Sequence, residues 1–159
     1  MKHSKFTIDA SSLIKVFRKE MPYYKGHFKT LWLNIYKMIK SEEIISHIEV
    51  YKEIMDGDGD DELSKWTKDH KNIFKDYNMP DESDFIKNIG KKFEKFLHQE
   101  KMKPYHADPW IVAQAKINNL IVITEESKVR PQGIPNVCRN FKVESIELFD
   151  LIKKNNWIF

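Results

Sequence analysis

Apolar positions along the chain recur with two different periods, and their alternation predicts short strands separated by helices. Lys5 to Asp9 (KFTID) reads as a strand that ends on an acid. Ser11 or Ser12 caps the helix that follows, with Leu13, Ile14, Val16 and Phe17 as its apolar side, and Pro22 and Gly26 break it. Phe28, Leu31, Trp32, Ile35 and Ile39 fall at helical spacing and predict a second, amphipathic helix. Glu43 to Ser46 reads as a very short buried strand, followed from His47 by a helix carrying Ile48, Val50, Tyr51 and Ile54. Asp56 to Asp61 reads as a turn into another helix, which uses Leu63, Trp66 and Phe74. Asp81 to Asp84 open a longer helix with Phe85, Ile89, Phe93 and Phe96 on one side.

The last third is the most regular. Asp108 precedes the helical stretch PWIVAQAKINN, whose proline occupies the favoured first turn. Leu120 to Ile123 is a continuous apolar, β-branched run of the kind that forms a strand buried on both faces. A polar loop containing Pro131, Gly133 and Pro135 follows, then a last short strand around Val143 and a closing helix from Ser145 to Asn155. No repeat, linker or boundary interrupts this series, so residues 1–159 are expected to form one domain. Strands alternating with helices imply a three-layer α/β fold: a short parallel central sheet, of about four or five strands, with helices on both faces.

Composition supports a folded chain outside the membrane. Hydrophobic residues make up 41% and charged residues 32%, enough for both a core and a solvated surface. No apolar run approaches the roughly 18 residues of a membrane span. The start, MKHSKFTIDASSL, has no apolar stretch before its first acid and so does not read as a signal peptide. The single cysteine, Cys138, excludes an internal disulfide and a cysteine zinc cluster, which fits a cytoplasmic protein. A net charge of +3 neither demands nor excludes nucleic acid.

The candidate chemistry lies in acids at element ends. Asp9 follows the apolar Phe6-Thr7-Ile8, and the pair Glu125-Glu126 follows Ile121-Val122-Ile123-Thr124. Sites of parallel α/β sheets form at the carboxyl ends of strands. Asp108 is brought to the same edge by length. The helix from Asp108 to Asn118 and the strand from Leu120 to Thr124 each span about 16 Å, so the chain returns to its starting level. Glu53 and Glu49 lie one turn apart on one helix face after the Ile44-Ile45 strand, and either can point into the group. Crowded carboxylates repel one another and call for a cation, and an all-oxygen donor set suits Mg²⁺ or Mn²⁺. Taken singly, Asp108 reads equally well as a helix N-cap.

The order of these pieces resembles the PIN domain. The matching segments are FTIDASSLI (Phe6 to Ile14), IISHIEVYKEI (Ile44 to Ile54), ADPWIVAQA (Ala107 to Ala115) and IVITEE (Ile121 to Glu126). Asp9, Ser11, Glu53, Asp108, Thr124 and Glu126 fall on the positions of the family's motifs. Glu126 stands where the family usually carries Asp, and Glu125 beside it offers the same chemistry. The resemblance implies a PIN-like fold and magnesium- or manganese-dependent RNA cleavage. By that likeness Asp9, Glu53 and Asp108 hold the metal, Glu126 completes the acidic pocket and Thr124 orients water or phosphate. It also implies RNA as substrate, the toxin role of a toxin–antitoxin pair with an antitoxin protein as partner, and a homodimer as a further assembly. Two alternatives use the same scaffold: a binding module for RNA or protein with a degenerate site, and a DNA or structure-specific nuclease.

Other signals carry less. Lys87, Lys91 and Lys95 are spaced as a helical stripe near Lys92, Lys101 and Lys103, a pattern that fits a solvated face better than a phosphate-binding one. The run from Asp56 to Asp60 lacks the glutamate that a calcium loop needs at its twelfth position, where Thr67 stands. His47 and His106 read as surface residues or as groups behind the acids. The terminal Trp157-Ile158-Phe159 is apolar enough to pack on the domain or a partner.

Overall fold

The computed structural model describes residues 4–21, 23–57, 61–98 and 106–157. The chain runs β1 (Phe6–Ile8), α1 (Ala10–Phe17), α2 (Lys29–Lys40), β2 (Ile44–His47), α3 (Ile48–Met55), α4 (Glu62–Asp69), β3 (Phe74–Lys75) and α5 (Met79–Lys92). It continues with α6 (Glu94–Leu97), α7 (Asp108–Asn118), β4 (Ile121–Ile123), α8 (Ile134–Asn140), β5 (Ser145–Ile146) and α9 (Leu148–Lys154). The five strands form one sheet in the order β3-β2-β1-β4-β5, and every neighbouring pair is parallel. This is the three-layer α/β arrangement expected from the alternation of periods. No helix among the described residues is long and apolar enough to cross a membrane.

Strand burial explains the composition of the strands. β1 and β2 are buried at every position, and a strand covered on both faces has no use for alternating polar residues. The strand order also decides where a site can form. From β1 the chain steps outward through β2 to β3, then crosses back to place β4 on the other side of β1. The order therefore reverses between β1 and β4, and in parallel α/β sheets that reversal opens a crevice beyond the carboxyl ends of the strands.

Helix α7 is the hub of the packing. Its residues from Asp108 to Ala115, other than the half-buried Trp110, are buried, and it touches β1, β2 and β4. Gln114 fixes it in place: its amide oxygen accepts the Thr7 hydroxyl of β1, and its amide nitrogen donates to the Ser46 carbonyl of β2 at 2.8 Å. Asn119, left-handed at φ 56°, ends the helix and turns the chain directly into β4.

Several boundaries differ from the sequence-based expectation. Phe74 is not on the helix of Leu63 and Trp66; that helix stops at Asp69, and Phe74 opens edge strand β3. The helix of Phe85 and Ile89 ends at Lys92, and Phe93 breaks it before α6. Lys95 consequently leaves the stripe of Lys87 and Lys91. The expected polar loop around Pro135 contains α8, where Gly133 is the N-cap and Pro135 sits in the first turn, needing no amide hydrogen. Val143 is buried but precedes the last strand, and the closing helix starts at Leu148 rather than Ser145. Trp157 packs against the core. Pro22, Asp58 to Asp60, Lys101, Lys103, Ile158 and Phe159 lie outside the described residues, as does the start of the chain through His3.

Candidate metal centre

Asp9 and Glu126 approach the crevice between β1 and β4 from neighbouring strands. Asp9 directly follows β1, and its backbone N–H donates to the Ile123 carbonyl of β4 at 2.9 Å. Thr124 to Glu126 directly follow β4, while α7 delivers Asp108 from above the same edge. One carboxylate oxygen from each of Asp9, Asp108 and Glu126 lies within 4.8 Å of the others. Asp9 is 2% and Asp108 7% exposed, so these two carboxylates are withdrawn from bulk water, while Glu126 is half-buried.

Neither buried aspartate is occupied as a helix cap. Asp9 stands at the N-cap of α1 but makes no capping bond with its side chain. Asp108 is not the N-cap of α7 at all; Ala107 holds that position, and Asp108 is the first helical residue. The N-cap reading of Asp108 is therefore corrected by where the helix begins. Asp9 is instead oriented by hydroxyls. Its Oδ2 accepts hydrogen bonds from Ser11 Oγ at 2.9 Å and Thr124 Oγ1 at 3.1 Å, and no hydrogen bond from the described residues reaches Oδ1. The Thr124 hydroxyl also accepts the Glu126 N–H at 3.2 Å. Glu126 in turn accepts the Ile134 N–H through Oε1 at 3.0 Å, so the start of α8 steadies it.

The electrostatics are those of an unneutralised acidic pocket. Burial first, then the charge of Glu126, pushes Asp9 up from 3.8 to about 6, even though Ser11 and Thr124 pull the other way. Asp108 is pushed well above the usual carboxylate range by burial, then by Asp9 and Glu126. The free Cys138 thiol, buried and facing the same charges, is pushed up to about 12 and is chemically quiet.

The structure distinguishes the acids that sequence left paired. Glu125 faces away: its Oε2 accepts the Leu148 N–H of α9 at 2.7 Å, and its Oε1 pairs with Lys15 at 3.4 Å. Glu49 pairs with Lys52 on α3 and, among the described residues, joins no group of ligand atoms. Glu53 is near the centre but does not belong to the group of Asp9, Asp108 and Glu126; its Oε2 accepts the Ala107 N–H at 3.1 Å, beside Asp108. Glu125→Gln is accordingly expected to cost about 1 kcal/mol of stability by weakening the bond to α9 and losing the pairing with Lys15. The same variant should keep the parent's response to Mn²⁺; thermal melts with and without the metal check both halves.

The two histidines depart from the surface reading. His47 is fully buried; its Nδ1 accepts the Glu49 N–H at 3.0 Å, and its Nε2 therefore donates to Glu82 at 2.7 Å. It caps α3 and so orients the helix that carries Glu53. His106 is half-buried and lies with Glu53 and Asp108.

A basic groove borders the acids. Lys92, Glu94, Lys95, Arg130, Pro131 and Gln132 line an open groove of about 510 Å³. Two connections join it to the centre. A Cβ added at Gly133 would meet Arg130 Cβ at 3.1 Å and Glu126 Oε1 at 3.4 Å, so Arg130 and Glu126 close together around Gly133. On the other side, the Phe96 N–H donates to Gln132 at 3.0 Å, while its carbonyl accepts from His106 at 2.7 Å. Sequence reasoning passed over this groove because its cations come from separate segments, α5, α6 and the loop before α8.

Among known proteins, a family described as Domain of unknown function (DUF4411) matches residues 6–159. No curated protein matches the chain.

Proposed function

The chain belongs to the DUF4411 family, and from its site we propose that it is a divalent-metal-dependent endoribonuclease of the cytoplasm, hydrolysing RNA phosphodiester bonds. The observation that carries this reading is the meeting of Asp9, Asp108 and Glu126 at the sheet's switch point, with both aspartates buried and, among the described residues, no lysine or arginine in an ion pair with any of the three. Three oxygen donors fit Mg²⁺ or Mn²⁺, which prefer carboxylates and water to nitrogen or sulfur. Such an ion, when bound, activates water and offsets charge on a phosphodiester. The protein's own groups supply the rest. Ser11 and Thr124 hold Asp9 through Oδ2, Ile134 holds Glu126, and Gln114 fixes the helix of Asp108.

The groove supports a polyanionic substrate. An acidic centre alone repels a nucleic acid backbone, whereas Lys92, Lys95 and Arg130 outnumber the one acid in the groove and can hold phosphates leading to it. The segment resemblance to PIN domains supports RNA, and it alone supports the toxin role, an antitoxin partner and a homodimer.

Incubation of a labelled single-stranded RNA with the protein and Mn²⁺ tests the reading. Internal cleavage that EDTA stops, and that is weaker on DNA of the same sequence, is expected. Lys95→Ala combined with Arg130→Ala should raise KM about tenfold with little change in kcat. The same pair should flatten the salt dependence of RNA binding, by a slope of roughly 0.7 per lost phosphate contact. RNA left intact by protein loaded with metal would contradict the assignment.

A further inference from the structure

A buried imidazole ties together three helices behind the acidic centre. His47 ends β2, and the parallel register that pairs Thr7 with Ile45 carries it to the level of Asp9. Both of its ring nitrogens are used. Nδ1 accepts the Glu49 N–H and caps α3, so Nε2 carries the hydrogen and donates it to Glu82 of α5. The ring itself lies against Trp110 of α7, with centroids 5.3 Å and planes 30° apart. Glu82 is 2% exposed, and among the described residues its only ion-pair partner is His47. Helices α3 and α7 meet a second time where Glu53 accepts the N–H of Ala107, the residue before Asp108. A buried polar pair is often no more stabilising than apolar side chains of the same volume, but it holds its partners in one geometry.

We propose that His47 and Glu82 are positioning residues, which hold the start of α3 against α7 and so set where Asp108 stands relative to Asp9 and Glu126. The inference rests on the reading of those three acids as the cation site. Glu82 fixes the tautomer and rotation of the ring, and that leaves Nδ1 free to cap α3. The capped helix presents Glu53 to Ala107, while the ring steadies α7 at Trp110. Small errors of placement are costly at such a site, because a shift of about 1 Å in one reacting group can cost up to about a hundredfold in rate.

Calorimetric titration with Mn²⁺, and RNA cleavage at saturating Mn²⁺ per folded molecule, test the proposal on the whole chain. Glu82→Leu removes the acceptor and should weaken Mn²⁺ binding and lower kcat, each about tenfold, with KM for RNA unchanged. His47→Asn keeps an oxygen for the Glu49 N–H but cannot reach Glu82, and it should lose as much. The two changes combined should cost no more than either alone, as expected of a pair that acts as a unit. Glu82→Gln still offers an oxygen to His47 Nε2 and should match the parent. Should Glu82→Leu not fold, the contrast between His47→Asn and Glu82→Gln decides. Variants with a lowered Tm but the parent's Mn²⁺ affinity and kcat overturn the proposal, as does a Glu82→Gln as impaired as His47→Asn. A parent that neither binds Mn²⁺ nor cleaves RNA overturns the proposed function as well, whereas an active parent beside unimpaired variants overturns this inference alone.

Discussion

Asp108→Asn is expected to remove metal-dependent cleavage entirely while leaving the metal-free protein at least as stable as the parent. The two effects have one cause. Asp108 is buried against Asp9 and Glu126, and its carboxyl is driven well above the ordinary range by that burial and those charges. Without a cation the neutral amide relieves repulsion, and because Asp108 is not the N-cap of α7 no capping bond is lost. Binding of Mn²⁺ to the folded parent alone should add about 2.7 kcal/mol at a hundredfold excess over Kd, roughly 5–10 °C in Tm for a chain of this length. The variant should show little of that rise. Melts in EDTA and in Mn²⁺, run beside the cleavage assay, separate a ligand from a structural acid. An equal rise in both proteins would remove Asp108 from the site.

Asp9→Asn should flatten the pH dependence of metal-free stability. Its folded-state value is about 6 against 3.8 for a free group. Below pH 3.8 the carboxyl is protonated whether the chain is folded or unfolded, and it costs nothing. Between 3.8 and about 6 the folded protein keeps a proton that the unfolded chain has released, so stability falls as pH rises. Above about 6 the full penalty applies, about 3 kcal/mol at 1.36 kcal/mol per pH unit. The parent should therefore lose stability across that window in EDTA, and Asp9→Asn should lose much less while still accepting the hydroxyls of Ser11 and Thr124 through its amide oxygen. Denaturant titrations at pH 4 and pH 7 measure the difference. A parent whose stability rises over that interval, with no change in the variant's slope, would contradict the burial of an unneutralised Asp9.

What the sequence made legible was set by the length of the elements. The helix from Asp108 and the strand to Ile123 are long and apolar enough to be read, and their matching, opposed spans place Asp108 and Glu126 at one edge, where the structure has them. Elements of two residues have no periodicity, so β3 was hidden and the last strand was placed around Val143 rather than at Ser145–Ile146; Phe74 fell on the helical spacing of Trp66, and only the break at His70 separates them. Helix α8 was concealed by Gly133 and Pro135, residues that mark a loop or a helix start equally well. Glu125 and Glu126 are identical in chemistry and adjacent in sequence, and what divides them is tertiary: the start of α9 claims one and the start of α8 steadies the other. His106 was visible as a neighbour of Asp108, but its link to Phe96 spans ten residues and depends on the fold.

Asp9, Asp108 and Glu126 are expected to hold a divalent cation at the junction of β1 and β4. A crystal structure of the protein soaked in Mn²⁺, with anomalous scattering to mark the ion, tests it most directly. An anomalous peak is expected in contact with carboxylate oxygens of all three residues, including Oδ1 of Asp9. A fully soaked crystal with no peak there, or with Mn²⁺ held only by surface carboxylates such as Glu49, would contradict it.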